Sequence, residues 1–166
     1  MTICAQGREC LFGDVVDGEM RLNDAGIMVC DAWHKIPKHF LHTDIDEFVV
    51  MPNHIHGIIM IVGAQFIAPI RKTVAENQGV INHAPTVGEI VRAFKARCTH
   101  AINRIHNTLG YAVWQRNYYE HVIRDGKEMD RIRGYIIDNP AKWNDDEDNP
   151  ANITCKGLIN QTPTFM

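Results

Sequence analysis

Apolar and polar positions alternate in short runs at several points along the chain, and apolar residues recur at helical spacing in three others. Thr2-Ile3-Cys4-Ala5 reads as a short strand, and its start almost at the first residue implies a truncated first element. Leu11 to Leu22 reads as a turn and a small hairpin with Asp17-Gly18 at its tip. Asn23 offers an N-cap, and Ile27, Cys30, Trp33 and Ile36 form a helical stripe that Pro37 is expected to stop. Strands follow at Ile45–Met51 and His54–Val62, joined by the break at Pro52-Asn53 and so paired antiparallel. In the second strand the even positions (His54, His56, Ile58, Met60, Val62) share one face and the odd ones the other. Both faces are apolar beyond His56, so both should be covered.

Residues 63–85 have no clear period and read as a mobile loop. Thr86-Val87-Gly88-Glu89 is a capping box opening the longest helix, whose stripe runs from Val87 through Ile90, Phe94 and Cys98 to Leu109, with Gly110 as its C-cap. Ala112 to Ile123 reads as a fourth strand. A second capping box at Asp125–Glu128 opens a helix through Met129, Ile132 and Ile136, which must end by Asn139 because Pro140 cannot continue it. The order β-α-β-β-α-β-α predicts an α+β fold, a ferredoxin-like βαββαβ antiparallel sheet plus one C-terminal helix free to cover the other face.

With 166 residues the chain is expected to form one domain over 1–143, followed by an acidic, solvated linker and tail over 144–166. Five cysteines, an odd number with no Cys-x-x-Cys pair, suit reduced thiols and a cytoplasmic location. No apolar run is long enough for a membrane span. A net charge of −3 gives no general attraction to nucleic acid, so any such role needs a local basic face. The long helix has one: Arg92, Lys95 and His106 flank its stripe on one side, Arg97, His100 and Arg104 on the other, offset only by Glu89. A solvated helix face is the competing account of these charges; their concentration in an otherwise acidic chain favours phosphate contacts.

The candidate chemistry starts at His54 and His56. One residue apart on a strand, they point the same way with Cα atoms roughly 6.5–7 Å apart, so two imidazoles can converge on one divalent ion. On the last helix Tyr135 and Asn139 are four residues apart and share a face. If that helix covers the histidine face of the sheet, two imidazoles, an amide oxygen and a phenol meet. Such a set suits phosphoryl transfer, with the metal as Lewis acid and the phenol oxygen as nucleophile. Tyr118 and Tyr119 compete for the nucleophile's role. On a strand they face opposite ways, so one is expected in the core and the other free to stack on a base. His121 reads as a solvent-near strand-end residue, and Trp114 and Trp143 as packing.

Taken together, Met51-Pro52-Asn53-His54-Ile55-His56-Gly57, Phe94-Lys95-Ala96, the run Trp114 to Asp125, and Tyr135-Ile136-Ile137-Asp138-Asn139-Pro140 resemble the REP-associated branch of the single-tyrosine HUH transposases. The resemblance spans Thr2 to about Trp143. It implies a ferredoxin-like nuclease and strand transferase acting on single-stranded DNA with hairpins from palindromic repeats, as a monomer or homodimer. His54, His56 and Asn139 would hold Mg²⁺ or Mn²⁺, and Tyr135 would form a 5′-phosphotyrosine. Arg92, Lys95, Arg97, Arg104 and Arg116 are the expected DNA contacts. Related transposases outside this branch have Gln at the position matching Asn139. Two imidazoles and an amide are a softer set than Mg²⁺ prefers, which favours Mn²⁺. The alternative is a non-catalytic, domesticated nucleic-acid-binding module of the same fold. A replication-initiator or relaxase nickase would share the chemistry, with larger or differently ordered chains.

Overall fold

The computed structural model describes residues 1–62 and 85–152. Its main sheet runs β1 (Thr2–Cys4), β5 (His54–Ile61), β4 (Thr43–Val50), with both pairings antiparallel. The Met51-Pro52-Asn53 connection between β4 and β5 is closed by the Met51 N–H donating to the His54 carbonyl at 2.8 Å. The fold is α+β, with antiparallel strands and helices on the sheet.

The expected fourth strand over 112–123 does not form. That stretch meets β1 and the residue after it through two isolated antiparallel bridges, Thr2 with Tyr119 and Ala5 with Trp114. β1 is three residues long before a 3₁₀ turn at Gln6–Arg8 takes the chain out of the sheet, so its neighbour has no ladder to extend along. The spatial order is nonetheless the 114–119 stretch, β1, β5, β4.

The predicted hairpin is present as β2 (Gly13–Val16) and β3 (Glu19–Leu22). Asp17 and Gly18 at its tip both have positive φ, 54° and 78°, the backbone that a two-residue hairpin turn needs. Asn23 caps α1 (Asp24–His34) by accepting from the Gly26 N–H at 3.0 Å. Pro37 does not stop this helix. α1 ends at His34, and Pro37 sits in the first turn of α2 (Ile36–His39), where its missing N–H would have no helical partner anyway. The buried face of α1 is also rotated from the expected stripe: Ala25, Gly26, Val29 and Trp33 are covered, and Ile27 is 51% exposed. Gly26 sets that rotation, since a Cβ there would overlap the Phe12 carbonyl and the Leu22 side chain.

α3 (Val87–His106) opens on the predicted capping box, with the Thr86 N–H donating to Glu89 Oε2 at 2.8 Å and the Glu89 N–H to Thr86 Oγ1 at 3.2 Å. It ends earlier than expected. Asn107, not Gly110, takes the left-handed cap at φ 55°, a role Asn fills next best after Gly, and Leu109 is left 98% exposed. α1 and α3 cover one sheet face. There Trp33 stacks on Phe48 (centroids 4.5 Å) and meets Phe94 edge-on at 5.6 Å, while Phe94 reaches Trp114 at 5.8 Å. Gly57 lies under Trp33, so the odd positions of β5 face this layer.

α4 (Gly126–Asp138) lies on the opposite face, fixed to β4 by a bidentate pair: Arg133 Nε and Nη2 each donate to Asp46 at 2.7 Å. Asp125 caps it by accepting from the Glu128 N–H at 2.8 Å. The Glu128 carboxylate turns instead to the Arg124 N–H (3.0 Å) and to His121 Nε2 (2.7 Å). A 3₁₀ helix over Pro140–Asp145 follows, burying Trp143.

The acidic stretch from Asn144 is not a solvated linker up to residue 152. Asn149 is buried and donates to the Trp143 carbonyl at 2.9 Å, Asp148 pairs with Arg8, and the Asp148 carbonyl accepts from Asn53. These contacts draw Asp148 and Asn149 back onto the fold, while Asp145 and Glu147 stay exposed. The loop expected to be mobile lies, but for Pro85, outside the described residues, as does the tail beyond residue 152. Among the described residues no helix is long and apolar enough to cross a membrane.

Candidate active site

His54 and His56 occupy the first and third positions of β5 and face α4, 1% and 7% exposed. Their Nε2 atoms are 3.0 Å apart. Each Nδ1 has a protein partner: Asn53 Oδ1 at 2.8 Å for His54 and Thr2 Oγ1 at 2.9 Å for His56. The β1–β5 register, which sets Thr2 opposite His56, supplies the second of these.

Burial dominates the electrostatics. It pushes His54 down to about 4, against a smaller opposing pull from Asp146, and His56 down to about 3, with the neighbouring His54 acting in the same direction. Both imidazoles are therefore neutral at pH 7 and available as ligands. Trp143 closes the pair from one side, its ring centroid 6.0 Å from that of His54.

Tyr135 rises from α4 on the other side. Its hydroxyl is 3.5 Å from His56 Nε2 and its ring meets the His56 ring at a centroid distance of 5.1 Å and 70°. Tyr135 is 51% exposed, so its oxygen borders both the histidines and solvent. The neighbouring Ile136 points inward and is buried, which fixes the rotation of α4 that brings Tyr135 here. Beside the phenol is a cavity of about 230 Å³ whose lining includes Thr2, His56, Tyr119, His121, Arg131 and Tyr135.

Asn139 ends α4 one turn beyond Tyr135. It is 3% exposed, and its side-chain oxygen has no hydrogen-bond partner among the described residues. A buried, unpartnered amide oxygen is costly unless something occupies it. Among the described residues no group of three or more His, Cys, Asp or Glu side chains is arranged for a metal. Two neutral imidazoles whose Nε2 atoms face each other at 3.0 Å are donors of the kind a divalent cation takes, and the unsatisfied Asn139 oxygen is a further donor one helical turn from Tyr135.

The expected DNA contacts are distributed differently. Arg92, Lys95, Arg97 and Arg104 all lie on α3, in the layer across the sheet from the histidines. The Lys95 ammonium is committed to the carbonyls of Gln115 (2.8 Å) and Asn117 (3.0 Å), so it pins the 114–119 stretch to α3. Lys95, Arg104 and Arg116 line a groove of about 830 Å³ between α3 and that stretch. Tyr118 packs on the core, 5.7 Å below the Lys95 ammonium, whereas Tyr119 is 67% exposed and borders the Tyr135 cavity. His121 is exposed and bound to Glu128, and both Trp114 and Trp143 are buried.

Sequence reasoning missed Thr2, Asn53, Arg8 and Asp148 around the histidines. Asn53 carried a signal, as the residue immediately before the pair; it reads there as a turn former. The other three come from distant parts of the chain and left none.

Fold and site together define an α+β domain in which paired strand histidines face a tyrosine on a covering helix. No family model matches the chain. A protein of Haemophilus influenzae, described only as an uncharacterized protein, is 43% identical over 152 residues, which are 89% of this chain and 82% of that protein. The chain belongs to the same family as that protein.

Proposed function

We propose that this protein is a single-stranded DNA transposase and endonuclease of the REP-associated, single-tyrosine HUH type, which cuts and rejoins hairpin-bearing DNA through a 5′-phosphotyrosine. The observation that carries the reading is the Tyr135 hydroxyl 3.5 Å from His56 Nε2, at the edge of a buried, neutral histidine pair. The order of the 114–119 stretch, β1, β5 and β4 supports a ferredoxin-like arrangement, with β1 and β5 in the middle and the 114–119 stretch and β4 at the two edges.

His54, His56 and Asn139 would hold Mg²⁺ or Mn²⁺, which when bound supplies a Lewis acid for a non-bridging phosphate oxygen. The chain's own groups do the rest. Tyr135 attacks phosphorus through its phenol oxygen, and its proton passes to water at the half-exposed rim. The bond to the 3′ oxygen breaks, and that oxygen leaves as a hydroxyl after taking a proton from water. The phosphodiester energy is kept in the tyrosyl ester, so a second 3′-hydroxyl can reverse the step without a nucleotide cofactor. Exposed Tyr119 offers a face for an unpaired base beside the phenol.

The test is incubation of the purified protein with a hairpin-bearing single strand and Mn²⁺. A covalent adduct that survives denaturing electrophoresis and disappears in Tyr135→Phe is expected. Binding with no adduct in the unmutated protein would favour the non-catalytic module.

A further inference from the structure

Asn53 is 1% exposed, and its carboxamide is fully engaged. Its amide nitrogen donates to the carbonyl oxygens of Arg8 at 3.0 Å and Asp148 at 2.7 Å. Carbonyls only accept, so the NH₂ must face them and Oδ1 must face His54 Nδ1. An amide oxygen also only accepts, so Nδ1 carries the proton. The other polar atom near it, Asp148 Oδ2 at 3.9 Å, is an acceptor too. In a neutral ring the lone pair is then on Nε2, directed at His56.

His56 has no such constraint. Its Nδ1 partner is the Thr2 hydroxyl, which can donate or accept. Two lone pairs facing each other at 3.0 Å would repel. In the free pair, therefore, His56 Nε2–H donates to His54 Nε2, and the Thr2 hydroxyl donates to His56 Nδ1. A cation needs both Nε2 lone pairs. His56 then loses its Nε2 proton to water, gains one at Nδ1 from water, and donates it to Thr2 Oγ1, with no net change in protonation.

We propose that Asn53 and Thr2 are positioning residues with different tasks: Asn53 holds His54 in the one tautomer able to bind a cation, and Thr2 lets His56 exchange tautomers when a cation arrives. The first half rests on hydrogen bonding alone. The second rests on the cation site of the proposed function.

The test uses the full chain with ¹⁵N-labelled histidine, in long-range ¹H–¹⁵N spectra at neutral pH before and after Zn²⁺, a diamagnetic ion that imidazole binds well. Before Zn²⁺, His54 is expected as Nδ1–H and His56 as Nε2–H; with Zn²⁺, both as Nδ1–H. His54 protonated at Nε2 in the free protein would overturn the role of Asn53. A His56 tautomer unchanged at saturating Zn²⁺ would overturn that of Thr2. No Zn²⁺ uptake by calorimetry would remove the cation site and the His56 exchange together, while the free-protein spectrum still decides Asn53. Thr2→Val should weaken Zn²⁺ binding about tenfold or more, while Thr2→Ser stays near the unmutated value. Equal affinity in all three proteins would again overturn Thr2, with thermal unfolding confirming that each is folded.

Discussion

The Tyr135 hydroxyl and His56 Nε2 stand 3.5 Å apart within one chain, although 79 positions separate the two residues. Two features on either side of Tyr135 hold them there: the Arg133–Asp46 pair two residues before, and the buried Ile136 immediately after. No second copy of the chain is needed to bring a phenol to these histidines. The proposed nucleophile is thus held beside the paired histidines and is half open to solvent.

Tyr135→Phe removes one oxygen from a half-exposed ring. Its effect on stability should stay within about 0.5 kcal/mol, as for surface changes elsewhere, while adduct formation with a hairpin-bearing strand is lost altogether. Denaturant unfolding and denaturing gels measure the two separately. An adduct of undiminished yield would move the nucleophile to another residue, with the exposed Tyr119 next in line.

Asp46→Asn tests how α4 is held. Its carboxylate is mostly shielded and grips Arg133 through two bonds of 2.7 Å, which hold the carboxyl well below its usual range, at about 2. Allowing for screening at the partly exposed Arg133, the loss should be about 1 kcal/mol. Adduct formation should slow by more than the lost folded population explains, because α4 carries the phenol. A rate reduced only in step with stability would show that the pair does not position Tyr135.

Stability should fall on mild acidification. The folded values of His54 and His56, about 4 and 3, lie below the ordinary 6.5, so the unfolded chain takes up protons first. Their contribution is complete above pH 6.5 and is lost progressively as the pH falls from there towards 3. Asp46 adds a loss of the same sign, but only between its ordinary 3.8 and about 2. Asp146, raised by burial, works the opposite way within the carboxylate range. Scanning calorimetry from pH 7.5 to 5 should therefore show a steadily falling midpoint, and a flat profile would contradict the burial of neutral imidazoles.

Gly57→Ala should destabilise the protein by about 1–3 kcal/mol through overpacking. The added Cβ would lie 2.6 Å from Trp33 Cη2 and 3.1 Å from Phe48 Cδ2, two rings already stacked on each other. Because Gly57 follows His56 directly, relief of that clash would push β5 towards α4. Adduct yield at a temperature where the variant is folded should fall as well.

Periodicity and capping chemistry were enough to locate most elements. Thr86 and Glu89 mark the start of α3, Asn23 that of α1, and Asp17-Gly18 the hairpin, because each satisfies backbone demands within a few residues. Errors arose where distant packing decided. Ile27 belongs to a helical stripe yet is exposed, since Gly26 and Trp33 choose the buried face. Tyr118 and Tyr119 sit in strand-like sequence, but the three-residue β1 gives them only bridges to pair with.

That His54 and His56 share a face of one strand, and Tyr135 and Asn139 a face of one helix, follows from residue spacing alone, because strand and helix periods are local properties of the backbone. That Tyr135 meets His56, that α3 carries its arginines on the other side of the sheet, and that Thr2, Asn53 and Asp148 close around the imidazoles came from the packing of the folded chain. Such contacts depend on how elements far apart in the chain share buried area and fixed hydrogen-bond directions, which no local pattern encodes.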